Sequence, residues 1–135
     1  MKLYNTLFFI VLAFWLMSCE KDKKPVDNTP GELTGFWINP QYGDSIVIYE
    51  RSDGFNDGPG IHFLNDGSLV EHKNAGFCGT PPITYADFDG SYSLNDSTLI
   101  VNAEYWGGVT ETTWKLISIN PTILTIKMIQ VVNGD

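Results

Sequence analysis

Phe88-Asp89-Gly90-Ser91-Tyr92-Ser93-Leu94-Asn95-Asp96-Ser97-Thr98-Leu99-Ile100-Val101-Asn102-Ala103-Glu104-Tyr105 is the stretch on which the fold turns. From Phe88 to Leu94 the residues alternate, with Phe88, Gly90, Tyr92 and Leu94 on one side and Asp89, Ser91 and Ser93 on the other. After Ser97, Leu99, Val101, Ala103 and Tyr105 alternate in the same way against Asn102 and Glu104. A period of two belongs to a strand with one buried face; an amphipathic helix would repeat about every 3.6 residues. Asn95-Asp96 separates the runs and tolerates the positive φ of a tight turn, so the pair reads as an antiparallel hairpin.

The same pattern extends in both directions. β-branched and aromatic runs of strand length fall at 34–38, 45–50, 60–64, 68–73, 110–119 and 122–130. Asn65-Asp66-Gly67, Gly107-Gly108 and Asn120-Pro121 punctuate them with turn residues. With the two runs of the central hairpin, the count predicts an all-β domain: an eight-stranded antiparallel up-and-down meander that closes into a barrel and so removes its edges. An open two-sheet sandwich is the alternative, because alternation alone does not fix closure or shear.

Composition excludes whole classes of function. The chain has 135 residues, a formal charge of −8 and 43% hydrophobic residues, which is too apolar for a disordered polymer and enough for one modest core. Only eight residues are Lys or Arg, and four of them precede residue 25. Glu32 onward contains thirteen acids against Arg51, Lys73, Lys115 and Lys127, a net charge of −9. A nucleic-acid backbone is therefore excluded as a partner, because binding it needs a basic face. As a whole, such a domain is also repelled by an anionic lipid surface.

The N-terminus reads as an export signal. Lys2 is followed by a run from Leu3 to Met17 that is largely apolar but shorter than the roughly 20 residues of a spanning helix. It ends in Leu16-Met17-Ser18-Cys19, which resembles the lipobox of bacterial lipoproteins. That resemblance implies a signal peptide over residues 1–18, cleavage before Cys19, and lipid on Cys19 as the membrane attachment. Residues 19–30 read as a flexible tether, because from Glu20 to Pro30 they carry mixed charge, two prolines and one apolar side chain. The folded domain then spans residues 31–135. The expected address is the bacterial cell envelope, lipid-anchored, with the outer membrane favoured on either its periplasmic or its surface face. With Cys19 lipidated, Cys78 has no partner for an intramolecular disulfide and reads as a half-buried structural thiol.

At the start of the first strand, Gly35-Phe36-Trp37 resembles the opening Gly-x-Trp of the lipocalin-like families. The likeness extends over residues 33–128, through the hairpin around Asn65-Asp66-Gly67 and the closing Trp114-Lys115-Leu116 and Leu124-Thr125-Ile126 runs. It is closest to small lipocalin-like domains borne on bacterial envelope lipoproteins. The resemblance implies that Gly35 allows a tight entry into the first strand, that Trp37 plugs one end of the barrel, and that a basic residue packs on it, with Lys127 as the candidate. Lipocalins proper carry a helix after the barrel, and no helix is expected between the last strand and Asp135.

Candidate ligand-binding positions follow from alternation and from the loops. Trp37, Ile48, Phe63, Tyr92, Val101, Trp114 and Ile126 are expected on an apolar inner wall, and Tyr105 with Trp106 at a hairpin tip beside two glycines. The long connection from Lys73 to Ala86 presents Phe77, Thr80 and Tyr85, as a binding loop or as a cover over one barrel end. Asp53, Asn56 and Asp57 lack the spacing of a calcium loop and read as a solvated turn. His62 and His72 are too few for a metal site, and Asp87 and Asp89 read as solvent-facing positions. No nucleophile elbow, zinc-protease motif or phosphate loop is found. The expected function is thus non-enzymatic and without a cofactor: a lipid-anchored barrel that binds a small apolar or amphipathic molecule. The alternative is an interaction module with a filled barrel that docks an envelope protein or polymer.

Overall fold

A computed structural model describes residues 30–76 and 81–134. Within them the chain forms one helical turn, α1 (Pro30–Leu33), followed by β1 (Gly35–Tyr42), β2 (Ile46–Ser52), β3 (Gly60–Phe63), β4 (Ser68–Asn74), β5 (Tyr85–Asn95), β6 (Thr98–Tyr105), β7 (Gly108–Ile119) and β8 (Ile123–Gly134). The eight strands make a closed antiparallel up-and-down barrel, and the sandwich is ruled out. Signal peptide, Cys19, the tether to residue 29, and Phe77, Cys78 and Thr80 lie outside the described residues.

The central hairpin forms as the alternation requires. Leu94 lies opposite Leu99 and Tyr92 opposite Val101, and Asp96 takes a φ of 54° at the turn. At the next turn, Asn120 Oδ1 accepts bonds from the Thr122 and Ile123 amides at 2.9 and 2.8 Å, an Asx device that fixes the β7–β8 hairpin. Gly67 turns the β3–β4 hairpin with a φ of 85°. From β3 to β8 every strand pairs with its successor.

One connection departs from a simple meander. β1 pairs with both β2 and β3, so it stands between them, and the chain from β2 to β3 must cross over it. Phe55, in that crossing segment, packs edge-on against Phe36 at 5.1 Å and stacks on His72 at 4.8 Å. Trp37, the neighbour of Phe36, points inward, so the crossing runs over the outer face of the barrel. A bulge in β1 between Ile38 and Gln41 accompanies it: Asn39 adopts a φ of 52° and accepts a 2.9 Å bond from Asn56 of the crossing segment.

Side chains fill the interior. Trp37, Phe63, Leu99, Leu124 and Ile126 are fully buried, joined by Val47, Ile61, Leu69, Val101, Ala103 and Trp114 in one cluster. An eight-stranded barrel is just wide enough for such a packing. Strand β2 inverts one expectation. Val47 and Tyr49 face inward, while Ile48 points outward and is 39% exposed. Both phases of that strand are apolar, so alternation could not choose between them; pairing Val47 with Ile126 and Tyr49 with Leu124 decides it.

Candidate functional site

The two ends of the barrel are built differently. At one end Leu33 of α1 covers the opening, and the Trp37 indole N–H donates to the Leu33 carbonyl at 2.7 Å. Arg51, not Lys127, is the basic partner of Trp37: its guanidinium lies 4.1 Å from the ring centroid. Arg51 Nη1 also donates to the Thr34 carbonyl at 2.8 Å, and Nη2 donates to the Glu32 carbonyl. Lys127 is exposed on the outer face. Gly35 has a φ of 122°, and a Cβ there would meet Arg51 Nη1 at 2.7 Å, so this close approach requires glycine.

At the other end polar side chains turn inward. Glu71 lies opposite the buried Ile61 and opposite Phe88, and its carboxylate holds Lys73 Nζ at 2.5 Å. Lys73 sits 5.1 Å from the Phe88 ring centroid. Burial pushes the Tyr49 phenol far above its ordinary value, with further contributions from Tyr42 and Glu71. Sequence reasoning did not find this group, although Glu71 and Lys73 share the phase of Leu69 and the period of two would have placed all three on one face.

Around this end the wall comes apart along two seams. Pairing between β5 and β6 stops at Gly90 and Ala103, where a Cβ on Gly90 would stand 2.3 Å from the Asn102 carbonyl oxygen. Between β2 and β8, pairing stops at Ile46 and Lys127, with a last bond from the Met128 amide to the Ser45 carbonyl at 2.8 Å. β8 continues to Gly134 with β7 as its only strand neighbour among the described residues. Residues 129–134 therefore offer a free edge about 20 Å long. Ile129, Val131 and Val132 on it are 57, 51 and 44% exposed, and Met128 to Gly134 carry no charge. Lysines, prolines or bulges usually protect such an edge; residues 129–134 hold no lysine and no proline, and a register shift at Ile129, between the Thr113–Gln130 and Trp114–Met128 pairs, interrupts the edge only at its start.

The sequence candidates divide accordingly. Trp37, Phe63, Val101, Trp114 and Ile126 belong to the packed core. Tyr92 packs against it, meeting Phe63 edge-on at 4.9 Å, and its hydroxyl donates to the Leu64 carbonyl at 2.6 Å. Trp106 is 66% exposed at the β6–β7 turn, while Tyr105 lies against Gly107, where a Cβ would be 2.7 Å from its ring. That contact explains the paired glycines as a turn requirement. Tyr85 closes the β4–β5 hairpin opposite Asn74 and stacks outside on His72. His62 stacks on Phe36 at 3.8 Å, and burial lowers its pKa. His72 bonds Asp87 at 2.6 Å. No group of three His, Cys, Asp or Glu side chains able to hold a metal occurs among the described residues.

Three surface depressions accompany these features. One of about 430 Å³ lies along the β1–β2 hairpin, lined by residues 41–46 and Ile48, at the foot of the free β8 edge. A second, of about 300 Å³, lies beside Arg51 and Pro121, and a third, also about 300 Å³, lies on the outer β5–β6 face at Asp89 and Glu104. Inside the barrel, Trp114 Nε1 is buried and has no hydrogen-bond partner among the described residues.

Compared with known proteins, the chain matches no family model, no curated protein and no solved structure at a significant level.

Proposed function

We propose that the chain is a non-catalytic docking module, tethered to the bacterial cell envelope by lipid on Cys19, which accepts an extended segment of an envelope partner. The observation that carries this reading is the free, uncharged edge of β8 at residues 129–134. A segment laid there adds a strand to the β6–β7–β8 sheet; main-chain bonds supply affinity and alternate side chains supply specificity. The depression along the β1–β2 hairpin lies where such a segment would meet the end of β2. The filled interior of the barrel supports the same reading, because its apolar wall is engaged in packing. The anchor is supported by Leu16-Met17-Ser18-Cys19 and the polar segment after it, and the lipocalin-like kinship by Gly35-Phe36-Trp37. The outer membrane is the address this reading assigns.

A carrier of a small apolar or amphipathic molecule is the second reading, and Trp114 favours it. A buried N–H without an acceptor is costly, and the acceptor of a bound molecule would satisfy it.

Photo-crosslinking separates the two. A benzophenone side chain at position 132 should give a discrete adduct on irradiation of intact cells, and the same group at Ser93, exposed on β5, should give none. No adduct from position 132, together with a small mass on the purified chain that disappears on denaturation, would replace docking by the carrier.

A further inference from the structure

The domain has four basic residues, and two of them are engaged internally. Arg51 is held by Trp37 and the Thr34 carbonyl, and Lys73 by Glu71. Lys115 and Lys127 lie directly opposite each other across β7 and β8, and both are exposed. Among the described residues neither forms a salt bridge, although thirteen acids occur from Glu32 onward. Like charges directly opposite on a sheet are destabilising, so an external anion would relieve this pair.

The surroundings specify what kind of anion. Thr98, Lys115, Lys127 and Ile46 form one row across β6, β7, β8 and β2. Ile46, Ile48, Ile117 and Ile129 around it are 41, 39, 44 and 57% exposed. A cation pair bordered by exposed isoleucines matches the boundary of a bilayer, where phosphates lie above acyl chains. From Cβ atoms about 5 Å apart, two lysines can converge on one headgroup phosphate.

We infer that this outer face of β2, β8 and β7 is the one the tethered domain turns toward an anionic lipid bilayer. The inference rests on the proposed anchor: residues 19–29, fully extended, hold the domain within about 40 Å of the lipid. The acidic domain as a whole is repelled by that surface; Glu50 of β2 and Glu111 of β7 border this face, each four residues along its strand from the lysine row, and the repulsion is least with the lysine pair between them turned inward. The bilayer thus orients the domain, and the free β8 edge, adjoining the lysine face, is held close to the lipid.

The test uses the full chain in vesicles of phosphatidylcholine alone or with about one third phosphatidylglycerol, an uncharged acetylating reagent, and mass spectrometry of each lysine. Lys115 and Lys127 should react about fivefold more slowly in the anionic vesicles. At about 0.5 M salt, where the Debye length is about 4 Å, the difference should vanish. Lys73, bound to Glu71, should react equally in both vesicles. Equal rates at Lys115 and Lys127 in a chain that floats with the vesicles overturn the inference alone, as does a slowing that Lys73 shares. A chain that floats with neither vesicle overturns the anchor, and this inference with it.

Discussion

The two ends of this barrel are made from the same eight strands and differ in how their polar groups are used. At the covered end, the Trp37 indole and the Arg51 guanidinium close on the carbonyls of Leu33, Thr34 and Glu32, so one aromatic and one cation satisfy the chain that enters β1. At the other end, Glu71 and Lys73 pair inside the mouth, β5 parts from β6, and β8 runs on with no neighbour on its β2 side among the described residues. The lesson is one of division: an end whose polar side chains are spent on the chain's own carbonyls contributes stability, although Arg51 Nε is left without a partner among the described residues, and an end with unpaired backbone can contribute binding.

The sharpest way to break this comparison is to truncate one large apolar group at each end. Trp37→Ala should destabilise the fold by about 3–5 kcal/mol, because it removes a fully buried indole, its bond to Leu33 and the seat of Arg51. Ile129→Ala should change stability by no more than about 0.5 kcal/mol. Urea unfolding followed by the fluorescence of Trp106 and Trp114 measures both. Equal losses would mean that the β8 extension is part of the core.

Tyr49 lies where the two regions meet and sharpens the contrast through pH. Burial, reinforced by Tyr42 and Glu71, raises its phenol well above the ordinary value near 10. In the unfolded chain the phenol ionises near pH 10, while the folded chain retains its proton. The stabilisation from this difference is complete below pH 10 and is lost as pH rises beyond it. Alkaline unfolding should therefore begin above about pH 10, and Tyr49→Phe should flatten it. An ultraviolet phenolate titration of the folded protein in which every tyrosine ionises near pH 10 would place Tyr49 in solvent.

What the sequence allowed to be read follows from the range over which each feature is determined. Alternation from Phe88 to Tyr105 identified the central hairpin because its two phases differ sharply in polarity. Strand β2 offers Ile46 and Ile48 in one phase and Val47 and Tyr49 in the other, so its inner face depends on β8, some 75 residues further on. For the same reason Arg51 was passed over as the cation on Trp37; the two are opposite only because β1 and β2 pair in that register. The exchange of β1 and β2 left no local mark either. Residues 53–59 look like a solvated turn, and it takes the pairing of β1 with both β2 and β3, together with the packing of Phe55 on Phe36 and His72, to show that they cross a strand. The free β8 edge is a property of where β2 stops, which no residue of β8 encodes.

An equally small expected effect on stability belongs to the substitution with the largest expected effect on docking. Val132 faces Glu111 across β7 and is 44% exposed. In Val132→Lys, the new ammonium gains an opposite-charge cross-strand neighbour, worth about 0.2–1 kcal/mol. It loses the modest packing of a half-exposed valine, so net stability should move by no more than about 0.5 kcal/mol in either direction. The edge itself changes in kind, because a lysine there must lose hydration before another strand can pair beside it. A benzophenone group at position 130 should therefore lose its adduct when Val132→Lys is added, while the unfolding midpoint stays in place. Retention of the adduct would mean that the partner contacts the face of the sheet and not its edge. A loss of about 2 kcal/mol or more would show that Val132 is packed, and the distinction between the two ends would fail at the residue on which it depends most.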